Sequence, residues 1–324
     1  MILITGAAGF IGSYLVGKLN DKGVYDLILC DDFSSDLKRN NWIQKKFHKL
    51  IERRSVFSEI HNLAPSLEAI IHLGARTDTT SADQVIFQEL NLEYSQKLWE
   101  FCCLHKIPFI YASSAATYGD GSRGFSDKTH PADLKPLNPY AWSKNEFDKW
   151  ALNQTKSPPM WVGLKFFNVF GPNEYHKGRM ASVIFHGYQQ IVQSGKMRLF
   201  RSHRQDVSDG HQSRDFIYVD DVAEIIYYLF KNCNNLPIRS GLLNIGTGRA
   251  RTFLDLGAAL FNALQLTRNI EFIDTPFEIR NNYQYFTCAD LEKFETLGYK
   301  NPFTGLEEAV SQYLKNFLIK GLYY

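Results

Sequence analysis

The chain has 324 residues, of which 44% are hydrophobic and 22% are charged, as is ordinary for a globular protein. Its formal net charge of +2 excludes a strong electrostatic attraction to nucleic acid or to an anionic membrane. No apolar run approaches the roughly 20 residues that a membrane-spanning helix needs, and the five cysteines lack metal-ligand spacing. We therefore expect a cytoplasmic protein with reduced thiols, one or two closely associated domains, no metal, and neither nucleic acid nor a membrane as partner.

The first predicted elements are a strand and a helix joined by a glycine-rich turn. The strand is the short apolar run 2–4, and Gly6, Gly9 and Gly12 follow it. A strand, a glycine turn and a helix in this order are typical of a dinucleotide site. Gly6 would turn the chain, Gly9 would admit a pyrophosphate close to the backbone, and Gly12 would let the helix pack on the strand. The helix N-terminus would then face the phosphates. A tight turn without a ligand is the alternative.

The second predicted strand covers 26–32 and ends in two carboxylates, about 20 residues beyond the last glycine. An acidic side chain in this place binds the adenosine ribose hydroxyls, so Asp31 is the expected ribose ligand. The basic residues that follow could instead favour a 2′-phosphate, or form a solvated face: Lys38, Arg39, Arg53 and Arg54. The choice between NADP and NAD therefore stays open.

Further buried strands are predicted at 68–75, 108–114 and 161–167. The first of them ends in Gly74-Ala75, where the backbone must pass close to a cofactor. The second brings Ser113 and Ser114 to the carboxyl edge of the sheet, where ligands of open α/β sheets bind. Helical periodicity covers 85–104 and 141–151.

The composition changes after Gly171-Pro172. An amphipathic helix is predicted at 180–192, a polar loop at 201–214, and returns to the sheet at 216–228 and 241–244. An apolar stripe between Leu306 and Leu318 predicts a final helix. The predicted fold is a Rossmann-type doubly wound parallel sheet with a smaller, interleaved α+β substrate-binding domain. The dinucleotide-binding domain would comprise 1–172 plus 217–247, and the nucleotide-sugar-binding domain 173–216 plus 248–324.

The group of residues that most specifically indicates catalysis comprises Ser114, Tyr140 and Lys144. Residues i and i+4 share one helix face, so the Lys144 ammonium can lie beside the Tyr140 hydroxyl. A neighbouring cation favours the phenolate and lowers the pKa of the tyrosine. Ser114 would hold the substrate oxygen, and Lys144 could also bind the nicotinamide ribose. The alternative for the Tyr/Lys pair is a solvated helix face.

Several motifs carry a resemblance that covers essentially the whole chain. TGAAGFIGS, SSAATYG, the Tyr140/Lys144 pair and FNVFGP resemble the extended short-chain dehydrogenase/reductases that act on nucleotide-sugars. HKGRMASV at 176–183, together with NIGTGRA at 244–250 and YQYFT at 283–287, is similar to the ADP-glyceromanno-heptose 6-epimerase family. Bacterial members of that family make the L-glycero heptose donor for the lipopolysaccharide inner core. The resemblance implies an ADP-sugar substrate and a tightly bound NADP, with NAD as the other possibility, and we expect a homo-oligomer.

The resemblance also implies roles for individual residues. Tyr140 and Lys177 would be the two acid/base groups, supported by Lys144 and Ser114. Arg214 and the segment around Phe200 would anchor the ADP. Besides Lys144 and the three glycines, the cofactor would be lined by Phe10, Ile11, Asp31, Asp32, Lys38, Arg53, Leu73, Gly74, Ala75, Arg76, Thr77, Asn91 and Val169. The substrate would be held by Asn168, Arg179, His186, Phe200, Arg201, Ser202, His203, Arg214 and Tyr283.

An epimerase needs two such acid/base groups. Inverting a secondary alcohol through a ketone moves the carbinol oxygen, and one base does not easily reach both positions. Asp32 departs from the family pattern, in which Asn is frequent, and a second carboxylate there repels a 2′-phosphate. Ala115-Ala116-Thr117 replace the acidic pair that a 4,6-dehydratase would use. Another nucleotide-sugar epimerase, such as a hexose 4-epimerase, and a non-catalytic cofactor sensor are the alternative functions.

Overall fold

The computed structural model describes residues 1–79, 81, 83–280 and 283–324. Within these residues the strands confirm the predicted buried runs, with ends that shift by one to three residues. In chain order they are Ile2–Thr5 (β1), Leu27–Asp31 (β2), Lys49–Glu52 (β3), Ala69–His72 (β4), Phe109–Ser114 (β5), Trp161–Phe166 (β6), Asn168–Phe170 (β7), Met197–Phe200 (β8), Ser213–Tyr218 (β9), Ser240–Ile245 (β10), Ala250–Thr252 (β11) and Ile270–Ile273 (β12).

Helices alternate with the strands along most of the chain. The α-helices are Phe10–Asp21 (α1), Arg39–Trp42 (α2), Val56–Leu63 (α3), Gln84–Phe87 (α4), Tyr94–His105 (α5), Pro139–Leu152 (α6), Val183–Ser194 (α7), Val219–Lys231 (α8), Phe253–Leu264 (α9), Phe277–Arg280 (α10), Glu292–Glu295 (α11) and Leu306–Tyr313 (α12). A π-helical turn, Gln88–Glu93, joins α4 to α5, and another, Leu314–Leu318, extends α12. Of the described helices, none is both long and apolar enough to cross a membrane.

Seven parallel strands form the main sheet in the order β3-β2-β1-β4-β5-β6-β10. Successive side chains of a strand point to opposite faces, so Ile2 and Ile4 enter the core on one face and Leu3 enters the core on the other. The strand order reverses between β1 and β4, and ligands of such sheets bind in the crevice at that point. The predicted Rossmann-type doubly wound sheet is confirmed.

Two smaller sheets follow the main one. β7 pairs in parallel with β9, β9 pairs antiparallel with β11, and β8 pairs in parallel with β12. The predicted return of the 216–228 strand to the main sheet is wrong, because Phe216 pairs with Asn168 of β7. In the main sheet β6 is already paired on both sides, with β5 and β10, so β9 cannot pair beside it. The division into two interleaved domains stays a prediction.

Side-chain caps fix where the helices that carry site residues begin. The Asn138 side chain accepts a hydrogen bond from Ala141 N–H at 2.9 Å, and Pro139 occupies the first position of α6. The Ser182 hydroxyl caps α7 in the same way, through Phe185 N–H at 3.1 Å. The predicted start of this helix at Met180 is therefore three residues too early, and residues 175–180 form a 3₁₀ turn instead.

Candidate active site

A cleft of about 670 Å³ opens at the carboxyl ends of the central strands. It lies at the switch point between β1 and β4, where a parallel sheet binds its ligand. Most residues predicted for the site meet there. The cleft is lined by Gly6, Gly9, Phe10, Ile11, Gly12, Asp31, Lys38, Arg53, Leu73, Gly74, Ala75, Arg76, Thr77, Ser114, Tyr140, Lys144, Asn168, Val169, Lys177 and Arg179 of the predicted set.

The glycine turn forms one wall of this cleft. Gly6 has φ +70°, and a Cβ atom there would lie 2.6 Å from the backbone nitrogen of Gly74. A Cβ atom on Gly12 would overlap the carbonyl group of Gly6. Gly9 precedes α1 as its N-cap residue and has no side chain with which to occupy the first N–H groups of the helix. The N-terminus of α1 is therefore open to an anion in the cleft.

The end of β2 presents carboxylates that already have cationic neighbours. Asp31 is buried and accepts hydrogen bonds from Ala8 N–H at 2.9 Å, Asp32 N–H at 2.7 Å and the Lys38 ammonium at 3.1 Å. Asp32 lies outside the cleft lining, 3.6 Å from the Arg53 guanidinium. Hydrogen bonds from Ser34 lower the pKa of the Asp32 carboxyl group. Lys38 and Arg53 thus flank the position expected for the adenosine ribose.

Ser114, Tyr140 and Lys144 come together as predicted, but their protonation differs from the prediction. Burial raises the pKa of Tyr140, whereas its hydrogen bond with Ser114 lowers it. The Lys144 ammonium donates to the Ala112 carbonyl oxygen at 2.9 Å, so it is directed at the strand as well as at the cleft. The expected lowering of the Tyr140 pKa is therefore wrong, because burial outweighs the hydrogen bond with Ser114. Burial also lowers the pKa of Lys144 to about 8, and Asp148 opposes that shift.

Lys177 enters the cleft from a different element than Tyr140. It lies in the 3₁₀ turn Tyr175–Met180, and its ammonium is 5.0 Å from the centre of the Phe10 ring at the start of α1. Burial lowers the pKa of Lys177, and the Glu174 carboxylate acts against that shift. An amine with a lowered pKa is a better proton acceptor near neutral pH than an exposed lysine.

The turn that carries Lys177 is anchored beneath by a fully buried carboxylate. Glu174 accepts hydrogen bonds from the Ser182 N–H and hydroxyl groups, both at 2.6 Å, and from the Tyr313 hydroxyl at 3.0 Å. His176 accompanies Lys177 and lies 3.2 Å from the Asn41 amide. These contacts hold the turn in place from α7, α12 and α2.

Two loops meet across the mouth of the cleft. The Arg179 guanidinium lies 3.3 Å from the Asp78 carboxylate, and the Arg76 guanidinium lies 3.6 Å from the same oxygen. Thr79 approaches the sulfur of Met180 at 3.9 Å. The loop after β4 and the turn after β7 thus close over one side of the site.

Some predicted residues lie outside the lining of this cleft. The Asn91 amide accepts from Arg76 N–H at 2.7 Å and donates to Ser143 Oγ at 2.9 Å, so it supports the loop after β4 from below. His186 lies on α7 against the Phe185 ring, with 5.7 Å between ring centres. Asn91 thus supports a neighbouring element, whereas His186 contacts an adjacent residue of its own helix.

Phe200, Arg201, Ser202, His203, Arg214 and Tyr283 also lie outside the lining. The side chains of Phe200, His203 and Arg214 form a second cluster around the Tyr283 ring. The buried Arg214 guanidinium is 5.4 Å from the Tyr283 ring centre, and Phe200 and His203 contact the same ring at 6.3 and 6.0 Å. Asn168 connects the cleft to β9, because its amide donates to the Asp215 carbonyl oxygen at 3.2 Å. Aromatic faces beside a guanidinium suit a nucleotide base and its phosphates.

Sequence reasoning missed several residues of the site. Cys30, Asp78, Tyr94 and His176 line the cleft without having been assigned a role. Asp148 is wholly buried on α6, four residues beyond Lys144. The i, i+4 spacing that paired Tyr140 with Lys144 could have pointed to it, whereas no local pattern predicts Asp78.

The chain is similar to known proteins along its whole length. Residues 2–246 match the NAD dependent epimerase/dehydratase family. An ADP-L-glycero-D-manno-heptose-6-epimerase from Nitratidesulfovibrio vulgaris is 45% identical, with 98% of each chain covered. One from Fusobacterium nucleatum is 41% identical, over 99% of this chain and 98% of the relative. Among solved structures, the enzyme of that name from Helicobacter pylori superposes with a TM-score of 0.80 at 26% identity, over 97% of this chain and 95% of the other.

Proposed function

Because the chain belongs to the NAD dependent epimerase/dehydratase family, we propose that it converts ADP-D-glycero-manno-heptose to ADP-L-glycero-manno-heptose by inverting C6. The observation that carries the proposal is the entry of two acid/base side chains, Tyr140 and Lys177, from different elements into one cleft. The names of the full-length relatives support the choice of substrate.

The residues present fit a nicotinamide dinucleotide. The open N-terminus of α1 beyond Gly9 suits the pyrophosphate, and Asp31 at the end of β2 suits the adenosine ribose. A nicotinamide bound there supplies the hydride acceptor and donor that inversion through a ketone requires. We propose NADP as this cofactor, because Lys38 and Arg53 both line the cleft and the Asp31 carboxylate is already paired with Lys38. NAD bound through Asp31 is the alternative.

The side chains divide the proton transfers between them. When the C6 alcohol of one epimer is oxidised, its hydroxyl proton passes to Tyr140 or to Lys177, depending on which side of the cleft the oxygen occupies. The Ser114 hydroxyl, hydrogen-bonded to Tyr140, holds that oxygen on the Tyr140 side. Once the ketone had turned over and a bound nicotinamide had supplied hydride to its other face, the opposite group would give a proton to the new alkoxide. Exchange of one proton with solvent at each group would then restore both for the next turnover.

The ADP portion is proposed to lie in the second cluster. Tyr283 and Phe200 offer aromatic faces, and the Arg214 guanidinium offers a planar donor to a diphosphate. Asn168 places this cluster next to the cleft, so one nucleotide-sugar could reach from Arg214 to Tyr140. Arg179 and His186 are proposed to contact the sugar.

The experiment has two parts. Cofactor released from purified protein by denaturation is identified by mass spectrometry, and the protein is then assayed without added cofactor on ADP-heptose and on UDP-hexoses. We expect NADP and conversion of the heptose. Conversion of a UDP-hexose at its C4 with no action on ADP-heptose would instead establish the hexose 4-epimerase alternative.

The assembly and the location of the protein belong to the same proposal. We propose a homo-oligomer that acts in the cytoplasm, where nucleotide-sugars are made. Light scattering coupled to size-exclusion chromatography gives the number of subunits directly.

A further inference from the structure

A buried ion pair lies directly behind the proposed catalytic residues. The Asp148 carboxylate and the Lys165 ammonium are 2.8 Å apart, and both side chains have 0% exposure. Removing two charges from water is costly, and a well-packed apolar pair of similar volume is often as stable. The burial of this pair therefore calls for a reason beyond stability.

The contacts of the Asp148 carboxylate join α6 to β5. One oxygen accepts a hydrogen bond from the Ser113 hydroxyl at 2.6 Å, and the other accepts one from the Tyr111 hydroxyl at 3.0 Å. Asp148 lies four residues beyond Lys144 and eight beyond Tyr140 on the same helix. The contacts therefore fix the helix that carries Tyr140 to the strand that ends in Ser114.

The contacts of Lys165 extend this link to Ser114 itself. The Lys165 ammonium, from β6, also donates to the Thr117 hydroxyl at 2.7 Å, and that hydroxyl donates to the Ser114 carbonyl oxygen at 2.7 Å. Thr117 and both charged side chains are fully buried. A continuous path of short hydrogen bonds thus runs from α6 through the ion pair to the backbone of Ser114.

On this geometry, and resting on the proposed epimerase function, we propose that Asp148 and Lys165 are positioning residues for the reaction. The pair fixes Ser114 relative to Tyr140 and places a buried negative charge one helical turn from the Lys144 ammonium. Displacing a catalytic group by about 1 Å can reduce a rate by roughly 10²-fold. The pair therefore sets both the geometry and the charge balance of the Ser114–Tyr140–Lys144 group.

The charged and titratable groups around Lys144 determine whether loss of the Asp148 charge raises or lowers the pKa of Lys144. Burial lowers the pKa of Lys144 to about 8, and Asp148 acts against that shift. Tyr140 lies on the same helix, and His72 of β4 has a pKa well below its usual value because of burial and the Lys144 charge. Removing the Asp148 charge therefore makes Lys144 lose its proton at a lower pH. Loss of the Lys165 ammonium would act in the opposite sense, but Lys165 is not among the groups that shift the pKa of Lys144.

The test is the double variant Asp148→Asn/Lys165→Met, which removes both charges and leaves neither unpaired. We expect it to fold and to retain bound cofactor, with kcat reduced by roughly 10²-fold and KM little changed. NMR of ¹³C-lysine-labelled protein should show Lys144 titrating at lower pH than in the wild type. The alkaline limb of the kcat profile should move the same way.

Two further variants keep the outcome decisive. Thr117→Val breaks the link from Lys165 to Ser114 without changing any charge, and should lower kcat with no change in the Lys144 titration. Asp221→Asn is the matched control, because Asp221 is a buried carboxylate bonded to Thr304 at 2.8 and 2.9 Å and lies outside the cleft lining. It should lower stability and leave kcat unchanged.

Wild-type kcat and an unmoved Lys144 titration in the folded double variant would overturn the inference. So would a wild-type kcat in Thr117→Val, if the double variant does not fold. If the wild-type protein fails to act on ADP-heptose, the proposed function falls. The NMR titration still decides the electrostatic role of Asp148 in that case, because it needs no substrate.

Discussion

Among the single residues, Tyr140 and Lys177 are the two on which the proposed inversion of a stereocentre depends. Because epimerisation in either direction uses both groups, removing either one should impair both directions. Tyr140→Phe and Lys177→Met should each lower kcat by roughly 10²–10⁴-fold. Initial rates measured from each ADP-heptose epimer test this expectation.

The matched control for these variants is Lys149→Met. Lys149 is a partly exposed lysine on α6 outside the cleft lining, so its loss should leave both rates unchanged. Wild-type activity in Lys177→Met would instead make Lys177 a structural lysine and contradict its role as the second acid/base group.

Two histidines near the site should make the protein sensitive to acid. Burial, with Lys38 and Lys177 nearby, lowers the pKa of His176 to about 4 from the usual 6.5, and burial lowers the pKa of His72 well below its usual value. Between pH 6.5 and 4 the unfolded chain binds more protons at these histidines than the folded protein does. The contribution of these two histidines to the free energy of unfolding therefore falls as the pH drops through this window.

Urea unfolding at a series of pH values measures this slope. His176→Gln should make the decline shallower, because one of the two histidines no longer titrates on unfolding. A slope identical to that of the wild type would show that His176 is protonated in the folded protein.

Among the secondary-structure elements, the glycine turn after β1 allows cofactor binding and folding to be tested by different substitutions. A Cβ atom at Gly9 would lie within 4 Å of only the Gly6 carbonyl oxygen, at 3.1 Å, among the described atoms, whereas a Cβ atom at Gly12 would overlap that carbonyl group. Gly9→Val should therefore fold but purify without cofactor, because its side chain occupies the space for the pyrophosphate. Gly12→Ala should lose both stability and cofactor.

Absorbance of the released cofactor and a thermal melt distinguish these two outcomes. Gly305→Ala is a suitable control, since a Cβ atom there meets open space. Full cofactor occupancy in Gly9→Val would place the dinucleotide elsewhere.

The turn Tyr175–Met180 depends on the buried carboxylate of Glu174. Replacing it by Gln removes the charge that opposes the lowered Lys177 pKa and weakens the bonds to Ser182. Glu174→Gln should lower kcat and leave cofactor occupancy unchanged, because Glu174 lies outside the cleft lining. Loss of cofactor without loss of kcat per loaded site would contradict the assigned role.

The elements that sequence reasoning predicted well are those with local signals. The apolar runs of β1, β2, β4, β5 and β6 predict buried strands, and the glycine spacing predicts the turn before α1. The sequence does not predict the sheet to which β9 belongs, because the residues of a strand do not determine which other strand has a free edge. The predicted start of α7 is three residues too early, because Met180 and Ala181 continue the apolar pattern outside the helix.

At the scale of the whole molecule, the site is assembled from segments far apart in the chain. Asp78 meets Arg179 across 101 residues, and Glu174 meets Tyr313 across 139 residues. Such pairs have no sequence signature of their own. Resemblance to a family supplied the identity of Lys177, whereas Ser114, Tyr140 and Lys144 could be placed from strand order and helix spacing alone.

The proposed inversion requires the hydrogen on C6 to leave and return within one cleft, without exchange with solvent. The most direct test is to convert ADP-D-glycero-manno-heptose in D₂O, with no cofactor added, and to examine C6 of the product by NMR and mass spectrometry. We predict the L-glycero epimer with ordinary hydrogen retained at C6. Deuterium at C6, or stoichiometric reduced cofactor with a keto-sugar that goes no further, would contradict the account.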